Sequence, residues 1–182
     1  MGTTVEVVPA AGRWSEVRTL FGRAGASNGC WCQYWLIGSE YHRRDRDTNR
    51  AALHAQVDAA SAGLVALSGD EPVGWARLTP RSGLAYLTGR FTTYEFSEDE
   101  PLSLPCFYIA RRARSAGVMT ALIEGAMAEA RRVDASLEAY PIDPTATGAT
   151  TNRFSGVLPA FMALGFAEVG RLSRDRAVVR WR

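Results

Sequence analysis

Between Leu104 and Arg132 an apolar stretch, Leu104–Ala110, runs into a turn of small and basic residues, Arg111-Arg112-Ala113-Arg114-Ser115-Ala116-Gly117, and then into a long amphipathic segment. Val118, Leu122, Gly125/Ala126 and Ala130 fall on one face, so the spacing predicts a helix to about Arg132. A buried strand feeding a helix with one apolar face must cover that face with further sheet. This unit sets the α/β class of the chain.

The flanking segments supply the rest. Val5–Val8 is a short strand candidate stopped by Pro9, and Trp14, Val17, Leu20 and Phe21 space as a first helix. Thr48 is placed to N-cap a second helix running to about Ala60, with Leu53 and Val57 inward and Gly63 just past its end. Leu64–Leu67 and Val73–Leu78 flank Ser68-Gly69-Asp70-Glu71-Pro72 and read as an antiparallel hairpin. Leu84–Leu87 suits either strand or helix, and Leu104–Ala110 reads as one uninterrupted strand. Ser136–Ala139 is a short strand halted by Pro141, Asp143–Thr151 a loop of small residues, and Leu158–Leu164 a short helix ended by Gly165. Val169–Leu172 and Val178–Trp181 close the chain as a second hairpin. No period repeats, no linker separates two apolar halves, and 182 residues is one domain's worth of chain. The expected fold is therefore α/β (α+β), a single domain over residues 1–182. It has a mixed, mostly antiparallel central sheet of about seven strands flanked by about four helices.

Composition narrows the chemistry. All 21 cationic residues are arginine, which removes the phosphate-loop lysine, the Schiff-base lysine and the lysine general base. With 19 acidic residues the net charge is +2, too balanced for a nucleic-acid or membrane-surface partner. Three cysteines, no long apolar run and no basic leader segment point to a reduced, cytoplasmic protein. The opening Met-Gly-Thr-Thr-Val-Glu has Glu6 where a myristoylation signal needs Ser or Thr. Cys30, Cys32, His42 and His54 do not have zinc-site spacing, so no metal is expected. A thiol acyl-enzyme route would need Cys106 paired with a histidine, and both histidines stand in the N-terminal third. Trp14, Trp31, Tyr34 and Trp35 cluster around a glycine-rich, cysteine-bearing loop; they suit core packing and a pocket lining equally.

The turn before the long helix is where chemistry concentrates. A strand entering a helix through small residues aims several backbone N–H groups at one point, and the helix dipole adds roughly half a positive charge there. Arg111, Arg112 and Arg114 bring guanidinium groups, which bind phosphate bidentately, to the same turn. The plainer reading is an ordinary turn glycine, Gly117, with solvated arginines.

Here the sequence resembles the GCN5-related N-acetyltransferase (GNAT) superfamily. Arg114-Ser115-Ala116-Gly117-Val118-Met119 matches its Arg/Gln-x-x-Gly-x-Gly/Ala turn, with Met119 in place of the last small residue. Gly69-Asp70-Glu71-Pro72-Val73-Gly74-Trp75 resembles its second-to-third strand hairpin, and Phe161-Met162-Ala163-Leu164-Gly165-Phe166 its aromatic-x-x-x-Gly-Phe helix end. Cys106-Phe107, Glu138-Ala139-Tyr140-Pro141 and Cys30-Trp31-Cys32-Gln33-Tyr34-Trp35 resemble a branch whose acceptors are largely unassigned.

The resemblance implies acetyl-CoA as co-substrate and transfer of its acetyl group to a small-molecule amine by direct attack on the thioester. The pyrophosphate would sit on Arg114, Ser115, Ala116, Gly117, Val118 and Met119, and the pantetheine would pair with the backbone of Phe107, Tyr108 and Ile109. The fourth and fifth strands of the fold splay apart to admit the thioester. Where the family often has a general-acid tyrosine, this chain has Phe161, which has no proton to give. That leaves Tyr140 as the candidate donor to the CoA thiolate, Glu138 as the partner of the amine, and Cys106 on the neighbouring strand. The plainer alternative makes Tyr140 a core residue and Glu138 a solvated one. A non-catalytic acyl-CoA-binding module on the same fold is the alternative function, and a homodimer is one possible assembly.

Overall fold

The computed structural model describes residues 5–26, 28–59 and 62–182. Ala60, the expected helix end, and the first four residues lie outside these. Strands β1 (Val5–Pro9), β2 (Gly63–Ser68), β3 (Glu71–Arg77) and β6 (Phe107–Ile109) form one antiparallel sheet in the order β1-β2-β3-β6. Strands β4 (Thr79–Pro80), β5 (Leu102–Leu104), β7 (Leu137–Ala139), β9 (Arg176–Trp181) and β8 (Ala167–Ser173) form a second in that order, with β5 and β7 parallel. Helices α1 (Trp14–Phe21), α2 (Tyr34–Ile37), α3 (Arg46–Asp58), α4 (Ala85–Arg90), α5 (Val118–Arg132) and α6 (Leu158–Met162) complete the described chain. The class is the mixed α/β expected, but the strands form two sheets where one was expected.

The long helix forms where the periodicity placed it. Val118, Leu122, Ile123, Ala126, Met127 and Ala130 are its buried positions, and Arg131 and Arg132 oppose the dipole in the last turn. Its axis lies close to the first sheet because two glycines leave room. A Cβ on Gly74 would stand 2.6 Å from Val118 Cγ1, and one on Gly125 would stand 2.5 Å from Val7 Cγ1. The opposite face of that sheet is covered by α1 and α3, which bury Val17, Phe21, Leu53 and Val57 with Trp31 and Trp75. Helix α3 starts at Arg46, two residues ahead of the expected cap Thr48, and Leu84–Leu87 resolves into the start of α4.

The expected single strand over Leu104–Ala110 is two strands in two sheets. Leu104 is the last residue of β5 paired with β7, opposite Ala139. The next position carries Pro105 on one strand, and two residues past Ala139 stands Pro141 on the other. The parallel ladder ends at Leu104 and Ala139, just ahead of these two prolines. Beyond the break the chain forms its ladder with β3: Arg77 N–H donates to Cys106 O at 2.9 Å and Ala110 N–H to Val73 O at 2.9 Å. The change of sheet after Leu104 leaves a gap between β6 and the end of β7.

Candidate active site

A cavity of about 460 Å³ lies at this gap. Cys106, Phe107 and Tyr108 form one wall, Cys30, Cys32, Tyr34 and Trp35 a second, and Thr150, Asn152, Phe154 and Ser155 with Asp175 and Arg176 a third. The aromatic cluster therefore divides. Trp31 is core, stacked on Phe21 with ring centroids 5.4 Å apart, whereas Tyr34 and Trp35 face the cavity. Arg176 is fixed there by donating to Tyr140 O and Ser155 Oγ and by lying over the Trp35 ring.

The backbone of β6 is unevenly available. Residues 106, 108 and 110 form the ladder with β3, so the amides and carbonyls of Phe107 and Ile109 point the other way, into the gap. Phe107 N–H is already held by Phe154 O at 2.5 Å. Tyr108 spends its backbone on Trp75 and contributes its ring, 5.4 Å from Phe21.

The turn before α5 stands open. Arg114, Ser115, Ala116 and Gly117 are exposed, and a Cβ on Gly117 would meet nothing within 4 Å. Ser115 and Gly117 both adopt left-handed backbone, at φ 63° and 76°. For Ser115 this costs on the order of 1 kcal/mol, and such strain collects at binding sites. Ala121 N–H bonds Gly117 O, leaving the N–H groups of Val118, Met119 and Thr120 without intrahelical partners. Arg112 is tied to Glu71 at 2.5 Å; Arg111 and Arg114 have no ion-pair partner among the described residues. Turn and cavity adjoin through Gly156, where an added Cβ would stand 3.5 Å from both Met119 Sδ and the Phe107 ring. Phe161 is fully buried, in edge contact with Phe107 and Phe166.

Tyr140 and Glu138 face one another as their alternation requires, but neither lines the cavity. Tyr140 is 0% and Glu138 1% exposed. The Tyr140 hydroxyl donates to Glu138 Oε1 at 2.7 Å and sits 2.9 Å from Ser103 Oγ. Arg81 and Arg180 donate to the same carboxylate at 3.3 and 2.9 Å. Burial, then the Glu138 charge, raises the Tyr140 phenol well above its ordinary value. These side chains bind β4, β5, β7 and β9 together across positions the register already aligns.

The histidines are elsewhere: His54 stacks on Trp14 at 4.3 Å and His42 lies against Tyr41. No group of three or more His, Cys, Asp or Glu suited to a metal occurs among the described residues. On the spacing of its cysteines and histidines, protein purified without added metal is expected to carry well under one zinc per chain by elemental analysis. Stoichiometric zinc surviving dialysis would contradict this. No helix of the described residues is long and apolar enough to cross a membrane.

Sequence reasoning missed the wall formed by Thr150–Ser155 and the β8–β9 turn, and missed Arg77, which lies buried against the cysteine loop. The signal for the gap itself was legible as Pro105 inside an apolar run.

Comparison with known proteins agrees with this architecture. No curated protein matches the chain. Among solved structures, the chain is similar to a histone acetyltransferase HPA2 and related acetyltransferase from Corynebacterium glutamicum, at TM-score 0.59 and 20% identity over 98% of this chain and 95% of that one. It is similar to the PaiA N-acetyltransferase of Thermoplasma acidophilum in complex with coenzyme A, at TM-score 0.56 and 10% identity over 98% and 99%. A mosquito arylalkylamine N-acetyltransferase-like protein, 5b, gives TM-score 0.59 and 10% identity over 98% and 99%. At these identities the likeness is one of fold. The acetyltransferase (GNAT) family model matches residues 28–148, and on that match the chain belongs to the GNAT acetyltransferase family.

Proposed function

We propose that this protein transfers the acetyl group of acetyl-CoA to the amine of a small molecule, with the amine attacking the thioester directly. The observation that carries the reading is the adjacency of two features: an open, left-handed turn with unpaired N–H groups at the start of α5, and a cavity at the break between β5 and β6. The pyrophosphate lies on the turn, held by the N–H groups of Ala116 to Met119 and by Arg114, with Arg111 within the same turn. Pantetheine runs along β6, where Ile109 N–H faces the gap. The thioester carbonyl then stands beside Cys106. A neighbour of the same fold was solved with coenzyme A, which supports a coenzyme A ester as the ligand. Tyr140 and Glu138 hold the second sheet rather than the reacting groups. The second reading, an acyl-CoA-binding module without catalysis, draws on Phe161, which lacks a hydroxyl.

An assay of free CoA thiol against a panel of alkyl-, aryl- and polyamines separates the two. The proposal expects thiol release that depends on one class of amine. Stabilisation by acetyl-CoA without amine-dependent release anywhere in the panel would favour the binding module.

A further inference from the structure

Arg77 is 2% exposed, and no carboxylate lies within ion-pair distance of it among the described residues. A buried guanidinium without a counter-charge is costly, so its neighbours matter. Its Nη2 donates to the neutral amide oxygen of Gln56 at 2.8 Å. Its Nε–H points at Cys32, 3.2 Å from the carbonyl oxygen and 3.4 Å from Sγ. The indole N–H of Trp75 points at the same sulfur from 3.3 Å. Two strong donors converge on one buried sulfur. A neutral thiol is a weak acceptor; a thiolate is the anion this arginine lacks.

Cys106 completes the cluster. It is directly opposite Arg77 across the β3–β6 ladder, and Trp75 and Arg77 share a strand face, so the three side chains lie on one side with Cys32 over them. Cys106 and Cys32 both reach the cavity wall. No histidine does. The other ionisable groups facing the pair are Cys30 from the same loop, Tyr108 from β6, and Tyr34 and Tyr41 from the cysteine side. Arg90 faces it from α4, and Asp175 and Arg176 from the β8–β9 turn.

We propose that Cys106 and Cys32 act as a one-proton thiol–thiolate pair, charge-balanced by Arg77, that accepts the proton released by the acceptor amine and returns it to the departing CoA thiolate; this rests on the acetyl-transfer reading above. The amine nitrogen bonds the carbonyl carbon of the thioester, and the ammonium of the resulting adduct loses its proton to the pair. The carbon–sulfur bond to CoA breaks with its electrons on sulfur, and that thiolate takes one proton from the now doubly protonated pair. The sum is amide plus CoA thiol, with the pair restored and nothing oxidised or reduced. Cys106 is the member that touches the reactants; Arg77 is a positioning residue. The electrostatics agree. Burial would raise the Cys32 thiol, but the Cys106 S–H, the Arg77 charge and the Trp75 N–H outweigh it and hold it at about 6. Cys106, half-buried on the same side of the sheet, is pushed well up by the Cys32 sulfur and then by desolvation, and burial takes Cys30 to about 11.

The test begins with the thiolate ultraviolet absorbance of the unliganded protein. One thiolate is expected at neutral pH in wild type and in Cys30→Ser, with none in Cys32→Ser. Arg77→Gln should move the titration midpoint upward, which a merely structural arginine would not do. In the amine assay, kcat of the wild type should fall as pH drops through about 6, because the pair must be deprotonated to accept a proton. Cys106→Ser and Cys32→Ser should each lower kcat by about a hundredfold and displace that acid limb, with acetyl-CoA stabilisation unchanged. A wild type that transfers acetyl but shows no thiolate at neutral pH overturns the relay alone, as do serine variants with wild-type kcat and pH profile. A wild type with the thiolate but no acetyl transfer overturns the transfer reading and the relay with it.

Discussion

Gly117→Glu is expected to abolish stabilisation by acetyl-CoA while leaving the unliganded protein folded. At a hundredfold excess over Kd, a ligand bound only to the native state contributes about 2.7 kcal/mol. For a domain of this size that raises Tm by roughly 5–10 °C in the wild type. The variant places a carboxylate where the proposed function puts the phosphates, among backbone N–H groups that would favour an anion. There is open space around the new side chain, so its cost without ligand is confined to the left-handed backbone at φ 76°, about 1 kcal/mol. Gly117→Asn separates charge from backbone, because Asn tolerates this conformation and carries none. It should keep most of the ligand-induced shift. Wild-type stabilisation of Gly117→Glu would show that the turn is not where acetyl-CoA binds.

The second large effect is on stability. Glu138→Ala removes the shared acceptor of Arg81, Arg180 and Tyr140 and leaves Arg81, itself buried, without its counter-charge. Breaking one partner of a buried ion pair costs about 3–5 kcal/mol, or a fall in Tm of roughly 6–20 °C here. Tyr140→Phe, which strands one hydroxyl partner, should cost about 1–3 kcal/mol. Both variants are expected to keep kcat within a few-fold per folded molecule, since neither side chain lines the cavity. A fall in kcat of Tyr140→Phe at unchanged Tm would return that residue to the proton-transfer role its position in sequence suggested.

The contrast between those two sites shows what the sequence carried. The turn at Arg114–Met119 was legible because its requirements are local: a left-handed glycine, small neighbours and the first turn of a helix whose periodicity runs unbroken. The hairpin around Gly69 and the closing strands were legible for the same reason. The roles of Glu138 and Tyr140 were not, because alternation fixes the face they share but not what covers that face. The covering arginines come from positions 81 and 180, distant along the chain, and are brought in only by the β4–β5 and β7–β9 registers. Arg77 was missed for a related reason. An arginine in a hairpin strand reads as solvated until a loop more than forty residues away closes over it. Pro105 could have been read, since a proline inside an apolar run argues against one continuous strand. The gap beside it, where the chain changes sheets, is the feature on which the functional reading turns.

That reading is tested most directly by following the acetyl group itself. Acetyl-CoA carrying an isotopically labelled acetyl group is incubated with the protein and the amine class that drives thiol release, and products are identified by mass spectrometry. The account predicts label on the amine nitrogen, one acetylated amine for each CoA thiol freed, with none formed by Gly117→Glu. Label appearing only in free acetate, or staying on bound acetyl-CoA while the amine is unchanged, would contradict it.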